Sequence, residues 1–366
     1  GLAGVWHNEN GQTVTFTNCS FTGELSTPNI TEEVDFYYGG LIGAPYSATG
    51  TGKLIVDGYE MVAYGVLKTG ENEYGIYNGE GLVWAEAQAD NFFGNKTIKL
   101  MNDIDMTGIA INKPIHFWNS KPTVDGQNYT ISNLTMSTDS TEKKPFSLFS
   151  GTADIKNVKF DNANISGYSY VAVVAGNLYG NIENCHVTNS SVTCTYWMAG
   201  AMSAQYNNGN VTNCSVTNTT ITGPAAVGAL VGNINESAGE RKVENCNVSG
   251  CTIVQKGSFG GNYDEMFGAA VGLINIENST VHFNECTVEN TTVKATSYDF
   301  CTTGMVAFVN AGNNDAITFE NCTVSNVKLY APNVYTAHAA VYTTGSETLY
   351  NEVEGVTVTN VTFENI

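Results

Sequence analysis

Nine cysteines and five histidines are the residues best able to ligate a metal or carry redox chemistry in this 366-residue chain. Their spacing argues against both roles. No CxxC occurs, and no cysteine and histidine are grouped at zinc spacing. The zinc-hydrolase pattern HExxH is missing, because His7, His116, His186, His282 and His338 are followed by Asn, Phe, Val, Phe and Ala. The odd cysteine count leaves at least one thiol unpaired within the chain. Glycan-cleaving enzymes need positioned carboxylates, often with a cation that steadies an anionic centre. Here the acids are scattered and no Asp-Asp pair occurs. Asp103 and Asp105, the closest aspartates, read as strand residues, and Arg241, the single arginine, reads as the tip of a loop in Glu240-Arg241-Lys242. No catalytic residue, metal or cofactor is expected.

Aromatic side chains offer the remaining chemistry. Between recurring apolar columns, successive segments insert Tyr168 and Tyr170, then Tyr196 and Trp197, then Phe259, Tyr263 and Phe267, then Tyr298 and Phe300, then Tyr330 and Tyr335. Acids accompany them at Asp264, Glu265 and Asp299. Because the insertions vary in length while the columns do not, they should project from one edge of the molecule. Rings beside acids and amides suit the faces of sugars, and rings at corners can equally stack as a structural ladder. The candidate ligand-binding residues are Tyr168, Tyr170, Tyr196, Trp197, Tyr263, Asp264, Tyr298 and Asp299.

The columns that must position these rings form a repeat, Asn-Cys-x-Φ-x-Asn-x-x-Φ with Φ apolar, recurring at intervals of 27 to 40 residues. Copies begin at Asn184-Cys185, Asn213-Cys214, Asn245-Cys246, Glu285-Cys286 and Asn321-Cys322, with cysteine-free versions around Val158 and Val356. Cys and the first Φ are two apart and so share a strand face, and the exchange of Cys for Val marks a small buried site. The second Asn column accepts Gly250, and Asn and Gly share tolerance of left-handed backbone, so that column predicts a tight corner. A glycine-bounded strand follows each copy, as in Gly228-Ala229-Leu230-Val231-Gly232. Each repeat thus predicts three short strands and three corners, and no repeat buries its apolar face alone. The expected fold is all-β, a right-handed parallel β-helix with three sides, in which the five cysteines stack as one internal ladder.

Composition agrees. The formal charge of −20, from 35 acidic and 15 basic residues, repels phosphate backbones, so nucleic acid is not an expected partner. No run of about 18 apolar residues exists to span a membrane.

Gly40-Leu41-Ile42-Gly43 and Ala229-Leu230-Val231-Gly232 resemble the Gly-Leu-x-Gly element of the GLUG-motif repeat proteins of bacterial surfaces. The resemblance covers nearly the whole chain. It implies an extracellular or cell-surface, adhesin-like parallel β-helix whose partner is a glycan or a host surface protein. A structural stalk, or less readily a polysaccharide lyase or hydrolase, are the alternatives it leaves. Some such proteins carry IgA-peptidase names, and the missing HExxH argues against that activity here. The resemblance also implies organisation. Residues 74–136 look like a leading segment, with a capping helix near 80–90 around Gly81 to Ala85, a first strand from Thr97 to Met106 and a first complete corner from Val124 to Leu134. Residues 1–70 then read as the tail of a preceding module and 71–366 as a second module with repeats over 150–366. The opening Gly1-Leu2-Ala3-Gly4 reads like the interior of a repeat, so a longer protein is expected.

Overall fold

A computed structural model describes residues 3–7, 13–17, 42–46, 53–56, 58–235, 239–257, 266–295, 301–310, 315–330, 337–338, 341–343, 356–359 and 362–364. It is a parallel β-helix. One coil shows the plan: strands Ile182–Glu183, His186–Thr188, Ser191–Cys194, Ala199–Gly200 and Ser203–Asn208 follow one another, and each pairs parallel with its counterpart in the next coil. The register is strict where the sequence columns are strict, with Val187, Val216, Val248, Val288 and Val324 as successive Cα partners.

The coils from Asp154 to Thr343 therefore each carry five short strands where the sequence pattern resolves three. One added strand precedes the first Asn of the repeat. The other comes from the glycine-bounded segment, which is two strands, Val227–Gly228 and Val231–Ile234, folded about Ala229-Leu230. Glycine is required at that fold, since a Cβ on Gly228 would lie 2.4 Å from the Val231 carbonyl oxygen.

The corners come from both Asn columns. Asn184, Asn213, Asn245 and Asn321 of the first column have φ between 50° and 56°, and Asn189, Asn218, Asn290 and Asn326 of the second between 49° and 53°. Gly250 takes its corner at 64° and Glu285 takes one at 54°. The asparagine side chains then bond along the axis, as in Asn184 Nδ2 to Asn157 Oδ1 at 2.8 Å and Asn245 Nδ2 to Asn213 Oδ1 at 2.8 Å. One residue type thus both tolerates the turn and cross-links the coils.

The core is the space the coils enclose. Cys185, Cys214, Cys246, Cys286 and Cys322 stack there, at most 3% exposed, with Val158 at the same depth one coil earlier. Seven cysteines among the described residues, these five with Cys194 and Cys251, are free thiols and buried. The backbone runs its inter-coil bonds through the column, for example Ser215 N to Cys185 O at 3.1 Å and Asn247 N to Cys214 O at 2.9 Å.

Arg241 is not at a loop tip. It lies in strand Gly239–Glu244, opposite Val281, and is 2% exposed. Alternation decides this, because Arg241 and Val243 share the inward face while Glu240 and Lys242 face solvent. Asp105 lies in strand Ile104–Asp105 while Asp103 precedes it: Asp103 Oδ1 accepts from Thr130 N at 2.8 Å, and Asp105 Oδ1 from Asn133 Nδ2 at 2.8 Å. The Asn133 hydrogen bond, with those from Thr107, holds the Asp105 carboxyl below its ordinary range.

The first coil is closed by the expected helix, Gly79–Glu86, N-capped by Asn78, whose side chain accepts from Gly81 N at 3.0 Å. Leu82 and Ala85 point inward, and Trp84 joins Tyr74, Phe92 and Phe93 in an aromatic cluster that reaches Phe117 in the core. Before it, strands Lys53–Val56, Tyr59–Ala63, Val66–Gly70 and Glu73–Ile76 run antiparallel, and the last pairs parallel with Thr97–Leu100. No helix among the described residues is long and apolar enough to cross a membrane.

Candidate functional site

The aromatic insertions sit where strand Asn164–Gly167 turns into Val171–Ala172, and one coil on, where Ser191–Cys194 turns into Ala199–Gly200. Inter-coil bonding continues through these turns, with Thr195 N to Gly167 O at 3.1 Å and Tyr196 N to Tyr168 O at 2.8 Å. The rings above are therefore held in register. Tyr168 and Tyr196 stack with centroids 4.6 Å apart at 14°, and Tyr170 and Trp197 meet at 5.1 Å and 56°. All four rings are half-buried. Tyr170 and Trp197 rest on an apolar floor of Ala172, Met198, Ala204 and Ala226.

Two features brace this turn. The Cys194 thiol donates to Tyr168 O at 3.1 Å, and its Sγ accepts from Trp197 N at 3.2 Å. Burial pushes that thiol up to about 11. Tyr170 holds a left-handed backbone, φ 50°, which a bulky side chain adopts only when its surroundings impose it. Burial also raises the Tyr170 hydroxyl above its ordinary range.

Among the described residues the cluster spans these two coils. The corresponding turn of the next coil is Pro224-Ala225-Ala226, and the two alanines are buried. Phe267, grouped with the insertions by sequence, is a core residue at 0% exposure. Tyr330 is 53% exposed on strand Lys328–Tyr330. Tyr263, Asp264, Tyr298 and Asp299 lie outside the described residues, as do Phe259, Phe300 and Tyr335.

Beside Tyr168 opens a cleft of about 290 Å³, lined among others by Lys113, His116, Thr138, Ser140, Lys144 and Tyr168. One wall is the irregular segment 138–145, pinned by Ser140 N to Thr138 Oγ1 at 3.1 Å and Glu142 N to Ser140 Oγ at 3.3 Å. Lys143, on the same segment, carries its ammonium 4.7 Å from the Tyr196 ring centroid. Contact with Tyr196 raises the pKa of that ammonium. His116 Nδ1 is shut from solvent and has no hydrogen-bond partner, and burial lowers the ring's pKa. Asn112 also borders a second cleft of about 510 Å³, floored by Thr135 and Ser137.

Sequence reasoning passed over Lys143 and Lys144, although adjacent cations in a chain with 15 in all were a visible signal. It also passed over Trp118 and Tyr179, whose exposed rings meet edge to face at 5.9 Å. No sequence signal marked these two, which come together only because strands Ile115–Phe117 and Ala175–Tyr179 share a sheet. Among the described residues, no group of three His, Cys, Asp or Glu side chains is placed to hold a metal ion.

No protein-family model matches the chain, and neither does any curated protein. A crystal structure from Bacteroides ovatus, provisionally named an immunoglobulin A1 protease, is similar at 16% identity and a TM-score of 0.52, covering 76% of this chain and 86% of that one. A structure named IgA1 protease matches 77% of this chain but 21% of its own length, at 13% identity and a TM-score of 0.46. At that level the second likeness bears on neither fold nor activity. The chain is thereby placed by its fold, as a parallel β-solenoid similar to the Bacteroides ovatus protein, and by nothing narrower.

Proposed function

We propose that this chain is a non-catalytic recognition segment of a secreted or surface-attached bacterial protein, built of GLUG-type repeats, and that it binds a glycan through Tyr168, Tyr170, Tyr196 and Trp197. The carrying observation is that these four rings are clustered on adjacent coils and only half-buried, held by backbone register and by Cys194. Aromatic faces beside amides and hydroxyls recognise the apolar faces of sugars. Tyr263, Asp264, Tyr298 and Asp299 extend the same edge in this reading. Residues 1–70 close a preceding module in it, and 71–366 form the module that carries the site.

A glycan array run on the wild type and on Tyr196→Ala with Trp197→Ala tests this. Binding by the wild type, weakened at least about tenfold in the variant, is the expected result. Identical binding by both, or none by either, leaves the rings without a recognition role. The second reading, a stalk, is favoured by the seating of Tyr170 and Trp197 on Ala172, Met198, Ala204 and Ala226. A catalytic reading is raised by the protease name of the Bacteroides ovatus structure. Reproducible cleavage of an immunoglobulin or a polysaccharide, abolished by changing one carboxylate, would establish it and overturn the proposal.

A further inference from the structure

In a chain of net charge −20, three lysines gather at one place. Lys113 and Lys144 line the cleft beside Tyr168, and Lys143 stands at its rim against Tyr196. We infer that this cleft takes a single acidic group of a glycan, a carboxylate or a sulfate, with the sugar that carries it against Tyr168. The inference rests on the glycan reading above and names the chemical class of its ligand.

Charge comes first. Glu142 is the one carboxylate lining the cleft, and it is paired with Lys144 at 2.7 Å. Asp139 stands on the same segment without lining the cleft. Lys113 makes no ion pair among the described residues. Lys143 is held at the rim by the Tyr196 ring, so one cation is positioned before any ligand arrives. Elsewhere the surface is predominantly acidic, and its field raises the cost of bringing in a second anion.

Shape and hydrogen bonding agree. A volume of about 290 Å³ is at the lower end for small-molecule pockets, enough for one sugar residue. Tyr168 gives that residue an apolar wall, and Thr138 and Ser140 give it hydroxyl partners. His116 Nδ1 is the one polar atom among the lining side chains left both buried and unpartnered. The adjoining cleft of about 510 Å³, with Asn112 in common, offers amide and hydroxyl groups of Asn133, Thr135 and Ser137 to neutral neighbours of the acidic residue. The combination fits a mostly neutral glycan with one acid. It does not fit a polyanion.

The test is an array in which neutral glycans are printed beside their sialylated, uronate-bearing and sulfated forms, with heparin as the polyanion. The wild type should prefer an acidic member over its neutral parent by about tenfold, which is about 1.4 kcal/mol. The carboxylate and sulfate arms show which acid is taken. Lys143→Gln with Lys144→Gln should reduce that preference at least about fivefold, and Lys68→Gln, on a distant strand, should leave it as it is. Equal binding of neutral and acidic members overturns the inference and leaves the glycan reading standing. Absence of binding to every glycan removes both. Strongest binding to heparin, or binding to an acidic peptide in place of any sugar, also overturns it.

Discussion

At the corners the backbone enters the left-handed region, where a Cβ is crowded by its own carbonyl, and the side chain found there is nearly always asparagine. Asn218, at φ 49°, is therefore replaceable by glycine at little cost, whereas Asn218→Val should cost about 1–2 kcal/mol. Equal melting points for the two variants would remove the conformational account. Glu285 gives the converse case. It holds φ 54° in the column that asparagine otherwise fills, so Glu285→Asn should raise the melting point slightly, by about 0.5–1 kcal/mol of stability. The second column was legible as a corner because Gly250 stands in it, but the first was not so read, since its exchange of asparagine for Glu285 gives no such hint. Arg241 was misread for a related reason. Charge in Glu240-Arg241-Lys242 suggests a loop, and only the pairing with Ser279–Asn284 reveals strand alternation.

At the scale of one element, the cysteine column from Cys185 to Cys322 was legible because Val158 substitutes for cysteine and marks the site as apolar, whereas Val356, read into the same column, is out of register and pairs with Ile317. What the column does to its thiols is a matter of burial. Burial pushes Cys185 up to about 12 from its ordinary 9.0. Cys246 and Cys286 are raised first by the neighbouring thiol in the stack and then by burial. Below pH 9 these raised thiols are neutral folded and unfolded, and nothing is lost. Above it the unfolded chain ionises first, so stability falls as pH rises from about 9 towards 12, by up to ~1.4 kcal/mol per pH unit for each thiol so raised. Chemical unfolding at pH 8 and pH 10.5 should show this loss in the wild type and a smaller one in Cys185→Val with Cys286→Val. Thiol titration should find little reaction in the folded protein and most of the nine groups after unfolding without reductant. Release of at most one would mean that disulfides staple the chain. The ladder count was less legible, because a two-residue strand such as Ile182–Glu183, ended at once by a corner, is too short for alternation to register.

For the whole molecule, parallel stacking spreads a charge of −20 along a rod, and like charges on successive coils repel. Raising sodium chloride from 10 to 300 mM should therefore raise the melting point, since screening shortens the reach of that repulsion. A fall would show that attractive ion pairs such as Lys99 with Glu73 outweigh it. The fold was legible at this scale because every column repeats. The cleft was not, because its walls include a segment at 138–145 from one coil and the Tyr168 ring from the next, and a repeat pattern aligns columns without saying which insertions become neighbours. The same stacking turns the cysteine column into a marked tape. One thiol per coil runs through five successive coils, from Cys185 to Cys322, and each is sealed only by its own coil and the adjacent ones. A brief pulse of alkylating reagent during partial unfolding therefore writes the opening order into the chain: graded labelling from one terminus means fraying coil by coil, and uniform labelling means that the rod opens as one body.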